Sequence, residues 1–206
     1  MKLPEGYLVA IEGIDAVGKN THALLLSKWL KARRFRTTLM SFPDYHTPIG
    51  REIRAFLSGR KKFPIELQHI LFAANRWEKY PDIRSHLSNG KILIIDRYTQ
   101  SNIAYGTANG LDEGWLSSLE KGMPKANLVI VLDAPSDVLT SRRRRRSRDA
   151  YERSTSLQVR AQEAYKELAR RLGWELIDAN LSVDSVQRTV VDRLRNQMQK
   201  DRGITI

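Results

Sequence analysis

The sequence has no cysteine among its 206 residues, which excludes disulfide bonds and metal sites built from thiolates. It has no apolar stretch close to the ~20 residues that a membrane-spanning helix needs, and no signal-peptide layout at its start. It also has no internal repeat, no linker and no low-complexity tract apart from one run of arginines. From these absences we expect a soluble, cytoplasmic protein with a single domain over residues 1–206.

Positive charge is abundant in the composition. Lys and Arg number 35 against 23 Asp and Glu, a formal net charge of +12, which is compatible with nucleic-acid binding. Half of this excess, however, comes from six arginines within residues 142–148. Nucleic-acid binders more often spread basic residues along a face, with aromatic residues between them. The run is therefore either a solvated helix end or a cluster that closes over a polyphosphate.

Short apolar runs alternate with helical patterns along the chain. The runs cover residues 7–12, 37–42, 92–96, 127–133 and 174–178, and the helical patterns cover residues 21–31, 65–87, 136–146, 157–172 and 183–198. Such alternation is typical of a parallel sheet with helices on both faces. We predict an α/β fold with three layers, α/β/α, around a five-stranded parallel sheet that binds its ligands at the carboxyl ends of the strands.

A glycine-bounded loop follows the first apolar run and leads into a helix. This loop, residues 13–21, reads GIDAVGKNT; its backbone N–H groups and the positive end of the helix would bind phosphate. Gly13 and Gly18 permit backbone angles that a Cβ would oppose, and Lys19 would face the terminal phosphates of a nucleoside triphosphate. We predict that the whole loop binds this nucleotide: Gly13, Ile14, Asp15, Ala16, Val17, Gly18, Lys19, Asn20 and Thr21.

The loop lacks the hydroxyl residue that usually follows the lysine and binds magnesium. Asn20 stands there instead, and its amide oxygen is a weaker ligand than a fitted hydroxyl. A carboxylate at a strand end could hold the metal or its water, and two predicted strands end in aspartate, Asp96 and Asp133. Asp96 is the better candidate because Arg97 follows it, and a phosphate site needs both signs of charge. We expect Mg²⁺ as a cofactor, with Asn20 and Asp96 as candidate ligands, partly through water.

Two further segments have the composition of a substrate site. Phe72 and Arg76 are four residues apart and share one face of a predicted helix, which suits stacking on a flat base and hydrogen bonding to its oxygen. Alternatively, Phe72 belongs to the core and Arg76 forms a surface ion pair. Residues 96–105 lead from a strand into a helix and bring a carboxylate, a guanidinium, an amide and a phenol to the ligand edge of the sheet.

Together these motifs resemble the thymidylate kinase family, whose members have the P-loop NTPase fold with an arginine-rich lid. The matching segments, in order, are residues 12–15 with 18 and 19, residues 42–43, residues 71–76, residues 96–98 with 101 and 105, and residues 148–153. The resemblance implies that the lid covers about residues 142–153. It also implies that the chain moves a phosphoryl group from ATP to dTMP, forming dTDP for dTTP synthesis.

The same resemblance implies which residues hold dTMP. Phe72 would stack on thymine, Arg76 would donate to its O4 atom, and Asn102 would read its N3 edge. Asp15 would accept the 3′-hydroxyl, and Tyr105 would crowd the 2′ position against ribonucleotides. Further contacts with dTMP are implied for Tyr45, Arg97, Ser101, Tyr151 and Glu152. Of these, Arg97 would hold the monophosphate.

For ATP, the resemblance adds Arg142 and, beside the adenine, Asn180. Some members of the family have a catalytic arginine at the position of Ala16, which this chain lacks. In the other branch of the family the lid supplies that arginine, and Arg146 and Arg148 are favoured by their distance from Tyr151. The implied catalytic set is Lys19, Asp15, Arg97, Arg146 and Arg148.

Two other functions stay open at this point. A nucleotide kinase with another or a broader deoxynucleotide acceptor, such as dUMP, would differ only in its niche for the thymine methyl, worth roughly 1–3 kcal/mol. A P-loop protein that binds nucleic acid and uses ATP as a switch would employ the basic run but has no role for residues 72–76 or 96–105. Because many relatives pair through helices beside the sheet, we also expect a homodimer, with ATP and dTMP as its ligands and no membrane contact.

Overall fold

The computed structural model describes residue 3, residues 5–143 and residues 149–204, and for residues 143, 152 and 153 the backbone alone. The strands are β1 (Tyr7–Glu12), β2 (Thr37–Ser41), β3 (Ile92–Asp96), β4 (Leu128–Asp133) and β5 (Glu175–Asp178). The helices are α1 (Lys19–Ala32), α2 (Pro48–Leu57), α3 (Ile65–Glu78), α4 (Tyr80–Ser88), α5 (Thr99–Ala108), α6 (Glu113–Leu119), α7 (Ser136–Arg143), α8 (Ala150–Arg153), α9 (Thr155–Leu172) and α10 (Val183–Arg202).

The strands form one parallel sheet in the order β2-β3-β1-β4-β5. Its three middle strands are rich in Val, Ile and Leu and are buried along nearly their whole length, because both faces of the sheet are covered. The loop that leaves the carboxyl end of β1 therefore opens in the middle of the sheet edge, between β3 and β4. The predicted α/β fold with a five-stranded parallel sheet is confirmed.

Helices form the two outer layers. α1 packs against α10, and α5 packs against α9. The amphipathic pattern of α10 explains its packing, because Val186, Val190, Leu194 and Met198 recur on one face and are all buried. In the part of the chain that the structure describes, no helix is both long enough and apolar enough to cross a membrane.

One predicted helix is wrong in its bounds. The pattern over residues 65–87 forms two helices, α3 and α4, which are separated at Lys79. Pro81 explains the break, because it has no N–H and its ring would collide with the carbonyl of Trp77 in a continuous helix. The pattern over residues 136–146 gives α7, whose described part ends at Arg143. The short helices α2, α6 and α8 have no counterpart among the predicted ones.

Candidate active site

The loop between β1 and α1 contains three residues with left-handed backbone angles. Gly13 has a φ of 126°, and a Cβ there would lie 2.3 Å from the carbonyl oxygen of Leu132. Gly18, with a φ of 98°, is the N-cap of α1, and Ala16 has a φ of 71° between them. Since α1 begins where this turn ends, its unpaired N–H groups and positive dipole end face the loop. This is the geometry of an anion-binding site.

A cavity of about 880 Å³ runs along the carboxyl ends of the strands, from this loop to α3. Its size is that of a site for small organic ligands. Most of the predicted site residues line it: Asp15, Ala16, Val17, Gly18, Lys19, Asn20, Thr21, Tyr45, Phe72, Arg76, Asp96, Arg97, Ser101, Asn102, Tyr105, Arg142 and Tyr151. Residues from both halves of the sequence thus meet in one cavity.

The other predicted residues lie elsewhere. Gly13 and Ile14 are buried and are not part of the lining. Asn180 is exposed outside the lining, although its neighbours Ala179 and Leu181 belong to it. Three more fall outside the part that the structure describes: Arg146, Arg148 and the side chain of Glu152.

Asp15 is the centre of one end of the cavity, which we call the phosphate end. Its Oδ1 atom forms a short ion pair with Nη2 of Arg97 and lies 4.0 Å from Nζ of Lys19. Its Oδ2 atom accepts hydrogen bonds from Nε2 of Gln158 at 3.0 Å and from the hydroxyl of Tyr105 at 3.3 Å. Sequence reasoning missed Gln158, which is 143 positions from Asp15 and belongs to no local motif.

Burial and neighbouring charges shift the ionisation of this group. Burial raises the pKa of the Asp15 carboxyl, but the charges of Arg97 and Lys19 and hydrogen bonds from Arg97 and Gln158 outweigh it and lower the pKa to about 2. Burial and the charge of Arg97 lower the pKa of Lys19 to about 8, against the opposing charge of Asp15. The Lys19 ammonium donates to the carbonyl oxygen of Ile14 at 2.9 Å. At neutral pH two cations therefore share the Asp15 carboxylate.

The position of Arg97 depends on the buried carboxylate of Glu12, which belongs to the segment 12–15 but was assigned no role from the sequence. Arg97 has a left-handed φ of 64°, which is uncommon for a residue with a Cβ. Glu12, at the end of β1, is fully buried and accepts the backbone N–H of Tyr98 at 2.7 Å, so it anchors the residue that follows Arg97. It also accepts the hydroxyls of Ser101 at 2.6 Å and of Tyr165 at 2.9 Å. Ser101 lines the cavity but donates its hydroxyl hydrogen to Glu12.

Asp96, at the end of β3, offers an oxygen to a cation. Its Oδ1 atom is buried and has no hydrogen-bond partner among the described residues. An unsatisfied carboxylate oxygen beside a phosphate-binding loop fits Mg²⁺ or a water bound to it. Asn20 and Thr21 are exposed at the start of α1 and line the same cavity. Within residues 5–143 and 149–204, no three acidic or histidine side chains are grouped to hold a metal, so nucleotide phosphates and water would complete the coordination.

Phe72 and Arg76 face the other end of the cavity, which we call the base end, from one side of α3. The Phe72 ring makes edge contacts with the rings of Phe56 and Tyr151, with centroids 5.6 Å and 5.9 Å apart. Arg76 is only 2% exposed and pairs with Glu120 through its Nε atom, at 3.0 Å, and its Nη2 atom. The alternative of a surface ion pair is therefore wrong, since the pair is buried and Arg76 lines the cavity.

Asn102 belongs to the same buried network. Its Nδ2 atom donates to Glu120 at 2.9 Å and to the carbonyl oxygen of His69 at 3.3 Å, while its Oδ1 atom lies 2.8 Å from Nδ1 of His69. Burial lowers the pKa of His69 to about 4 despite the hydrogen bond to Asn102, so the ring is neutral at neutral pH. Sequence reasoning missed Glu120, which is 44 positions from Arg76, and His69. For His69 the sequence did contain a signal: it lies three residues before Phe72 on α3, so the two side chains share one face of the helix.

Three tyrosines line the cavity between its two ends. The rings of Tyr105 and Tyr151 lie 5.8 Å apart, and the Tyr151 hydroxyl donates to Gln68 at 2.8 Å. The guanidinium of Arg54 lies 4.8 Å from the Tyr45 ring centroid. Burial raises the pKa of Tyr45 to about 12, so its phenol stays protonated and can donate a hydrogen bond.

Beyond the P-loop, the cavity has an apolar wall next to α10. Leu181, Val183 and Val186 contribute to this wall. Nη2 of Arg142 donates to the carbonyl oxygen of Ala179 at 3.1 Å, which holds the guanidinium at the same end. An apolar wall beside a planar cation suits a flat, uncharged ring.

The chain is similar to known proteins over almost its whole length. A sequence model of the thymidylate kinase family matches residues 11–190. The thymidylate kinase of Homo sapiens is 31% identical, and the alignment covers 98% of this chain and 98% of that protein. The thymidylate kinase of Dictyostelium discoideum is also 31% identical, over 96% of this chain and 89% of its own. A probable thymidylate kinase of Thermococcus onnurineus is 34% identical, over 93% and 98%.

A solved structure has the same fold. The thymidylate kinase of Candida albicans, described as revealing the origin of broad substrate specificity, matches this structure with a TM-score of 0.84. The sequences are 28% identical, and the match covers 96% of this chain and 94% of that one. The arrangement of sheet, helices and P-loop is thus one that thymidylate kinases use.

Proposed function

The chain belongs to the thymidylate kinase family, and on that premise we propose that it transfers the γ-phosphoryl group of ATP to dTMP, forming dTDP and ADP. One observation carries this proposal: a single cavity has an anion-binding P-loop at one end, an aromatic ring with a guanidinium and an amide at the other, and Arg97 between them. Phosphoryl transfer needs two nucleotides held in line rather than covalent chemistry by the protein. dTDP is one phosphorylation short of dTTP.

ATP binds at the P-loop. The N–H groups of residues 13–19 and the start of α1 surround its phosphates, and Lys19 exchanges its contact with the Ile14 carbonyl for the terminal phosphates. The adenine lies against Leu181 and Val183, with the Arg142 guanidinium over its face. Asn180 lies between Ala179 and Leu181 of the lining and borders the adenine there.

The phosphate of dTMP lies beside Arg97, which forms charge-assisted hydrogen bonds with it, while the phenol of Tyr45 adds a neutral one. Asp15 accepts the 3′-hydroxyl of the sugar through an oxygen that Gln158 and Tyr105 already orient. The Tyr105 ring fills the space beside the 2′ carbon. No strong general base is needed, because the acceptor phosphate is itself the nucleophile.

The thymine ring lies at the base end. Phe72 stacks on it, Arg76 donates to O4, and Asn102 accepts from N3–H. Tyr151 borders the sugar side through its contact with the Tyr105 ring, and Glu152 follows it in the chain. These roles use the polar and aromatic groups that line this end of the cavity.

Charge neutralisation lowers the barrier to transfer. Ala16 leaves the P-loop without an arginine, so we assign the catalytic guanidinium to Arg146 or Arg148 of the lid, residues 142–153. Mg²⁺, when bound, would neutralise phosphate charge and align the two nucleotides, with Asp96 and Asn20 as its protein ligands. Arg146→Ala and Arg148→Ala should be compared: the catalytic one lowers kcat much more than it raises the KM for dTMP.

We also propose that the protein is a homodimer. α3 carries exposed apolar side chains on one face, at Leu67, Ile70 and Trp77. A second copy of the chain packed on this face would cover them. Sedimentation equilibrium measures whether the chain forms a dimer. The cytoplasmic location stays a prediction from the sequence.

A coupled ADP-release assay tests the function. The purified chain is given ATP with dTMP, dUMP, dGMP, dCMP or UMP, with and without Mg²⁺, and Lys19→Met purified in the same way serves as the inactive control. We expect ADP release with dTMP that requires Mg²⁺. No release with dTMP contradicts the proposal. Equal rates with dUMP and dTMP would instead favour the broader acceptor, and ATP hydrolysis that only DNA stimulates would favour the nucleic-acid switch.

A further inference from the structure

Among the described residues, the amide of Asn102 is left with one unused hydrogen-bonding position. An amide offers two N–H donors and two oxygen lone pairs. Both N–H groups of Asn102 are used, by the carboxylate of Glu120 and the carbonyl oxygen of His69. One lone pair of Oδ1 accepts from Nδ1 of His69. Among the described residues nothing uses the second lone pair, so toward the cavity Asn102 can accept a hydrogen bond but cannot donate one.

The direction of these hydrogen bonds follows from the Glu120 carboxylate, which has no hydrogen to donate. The Glu120 carboxylate can only accept, so it selects the N–H side of the Asn102 amide. His69 is neutral, and Nδ2 of Asn109 lies 3.2 Å from its Nε2 atom. Because Glu120 holds the N–H side of Asn102, Oδ1 faces His69, so the single ring proton is on Nδ1 and Nε2 can accept from Asn109. If the Asn102 amide were turned over, its N–H groups would face the Nδ1–H of His69 and its oxygen would face the Glu120 carboxylate, so both contacts would be repulsive.

Glu120 also orients Arg76. The same carboxylate accepts from Nε and Nη2 of Arg76, so the remaining N–H groups of the guanidinium are donors for a ligand. The base end therefore presents an acceptor from Asn102 and a donor from Arg76. Thymine carries the complement of this pair, an N3–H donor and an O4 acceptor, whereas cytosine carries the reverse, an N3 acceptor and an N4 amino donor.

We propose that His69 and Glu120 are positioning residues that set the direction of the Asn102 amide and so make the cavity select thymine over cytosine. This inference rests on the proposed function, because it concerns the acceptor of the same reaction. Neither residue needs to touch the base. With the amide free to turn, Asn102 could present N–H groups to cytosine N3, and the penalty against dCMP would shrink.

The test compares dTMP with dCMP in three variants of the full chain. His69→Leu removes the Nδ1 donor, whereas His69→Asn keeps an N–H donor close to that position. His22→Leu is the matched control, because His22 is also a buried histidine, bonded to Gln187, but lines the cavity near the P-loop. The readouts are the ratio of kcat/KM for dTMP to that for dCMP, and the Kd of each nucleotide without ATP.

We expect His69→Leu to lower the dTMP to dCMP ratio by up to about tenfold, the value of one hydrogen bond, because Glu120 still favours the present direction of the amide. His69→Asn should restore most of the ratio, and His22→Leu should leave it unchanged whatever happens to ATP binding. If His69→Leu does not fold, Asn109→Leu decides, since losing the donor to Nε2 lets the ring proton move and should lower the ratio in the same direction.

The outcomes separate the two proposals. A wild-type chain that releases no ADP with dTMP contradicts the proposed function. A wild-type chain that prefers dTMP, with a ratio unchanged in His69→Leu or equally lowered in His22→Leu, leaves the function standing and overturns the positioning role. A ratio lowered in His69→Leu and recovered in His69→Asn supports it.

Discussion

The cavity contains two arginine–carboxylate pairs of the same chemistry in different surroundings. At the phosphate end, the side chains of Arg97 and Asp15 are 17% and 18% exposed, and Lys19 lies within 4.0 Å of the same carboxylate. At the base end, the side chains of Arg76 and Glu120 are 3% and 6% exposed. Among the described residues, Glu120 has the amide of Asn102 as a further polar partner, with the neutral His69 ring behind it, rather than a second cation.

This difference explains how one pair can bind an anion and the other a neutral base. The Arg97–Asp15 pair keeps contact with solvent, and Asp15 has Lys19 as a second cation, so Asp15 keeps a charged partner when Arg97 turns to a phosphate. Breaking a buried pair costs about 3–5 kcal/mol, because one charge is left without a partner. Arg76 therefore stays on Glu120 and offers only its remaining N–H groups to a ligand.

The largest expected effect comes from removing the exchangeable arginine. Arg97→Met should lower kcat/KM for dTMP by roughly 10³-fold or more, because the acceptor phosphate loses its charged partner, while the free energy of unfolding falls by about 2 kcal/mol. Steady-state kinetics and urea unfolding measure the two quantities. Arg51→Met is the control, since Arg51 is exposed and is not part of the cavity lining. A large loss of stability with retained turnover would contradict the proposed difference between the two arginine–carboxylate pairs.

The second prediction concerns the carboxylates. Glu120→Gln should lower the free energy of unfolding by about 3–5 kcal/mol, because it leaves the Arg76 charge buried and unpaired. Asp15→Asn should cost about 2 kcal/mol, as its lowered pKa indicates, because the partly exposed Arg97 can be hydrated in its place. Urea unfolding of both variants at neutral pH provides the measurement. Equal losses would mean that the two pairs do not differ in their dependence on burial.

The smallest effect is a proton taken up when ATP binds. The pKa of Lys19 is about 8 in the free protein, and nucleotide phosphates should raise it. Above that pH, Lys19 is largely deprotonated in the free protein but protonated in the complex. The number of protons taken up on binding should therefore be larger at about pH 9 than at about pH 7.5. Titration calorimetry in buffers of different ionisation enthalpy measures it. Lys19→Arg, which stays charged, should show none, and equal uptake in both proteins would contradict the assignment.

Much of the fold could be predicted because buried strands leave a direct trace in the sequence. The run predicted at residues 92–96 coincides with β3, and that at 127–133 differs from β4 by one residue. Both strands are covered on both faces, so they read as continuous Val, Ile and Leu. The helix over residues 65–87 was predicted too long because its periodic pattern continues through Pro81, where the backbone cannot continue the helix.

The candidate site could be predicted only where its residues belong to local motifs. The P-loop, the Phe72 and Arg76 pair and the segment that contains Arg97 each lie within a few positions along the chain. Glu120, Gln158 and Glu12 act on partners that are 44, 143 and 86 positions away. No spacing rule connects such residues, because their contacts exist only after the sheet and its helices have assembled.

The sequence by itself determined the parallel sheet and the motifs that face its ligand edge, since strand burial and loop chemistry depend on neighbouring residues. Only the tertiary structure decided which carboxylate each arginine meets, and whether that pair is open to water or closed. The physical reason is that burial belongs to the packed molecule rather than to a segment. On the proposed function, the same kind of arginine–carboxylate pair therefore serves as an exchangeable phosphate contact at one end of the cavity and as a rigid support for base recognition at the other.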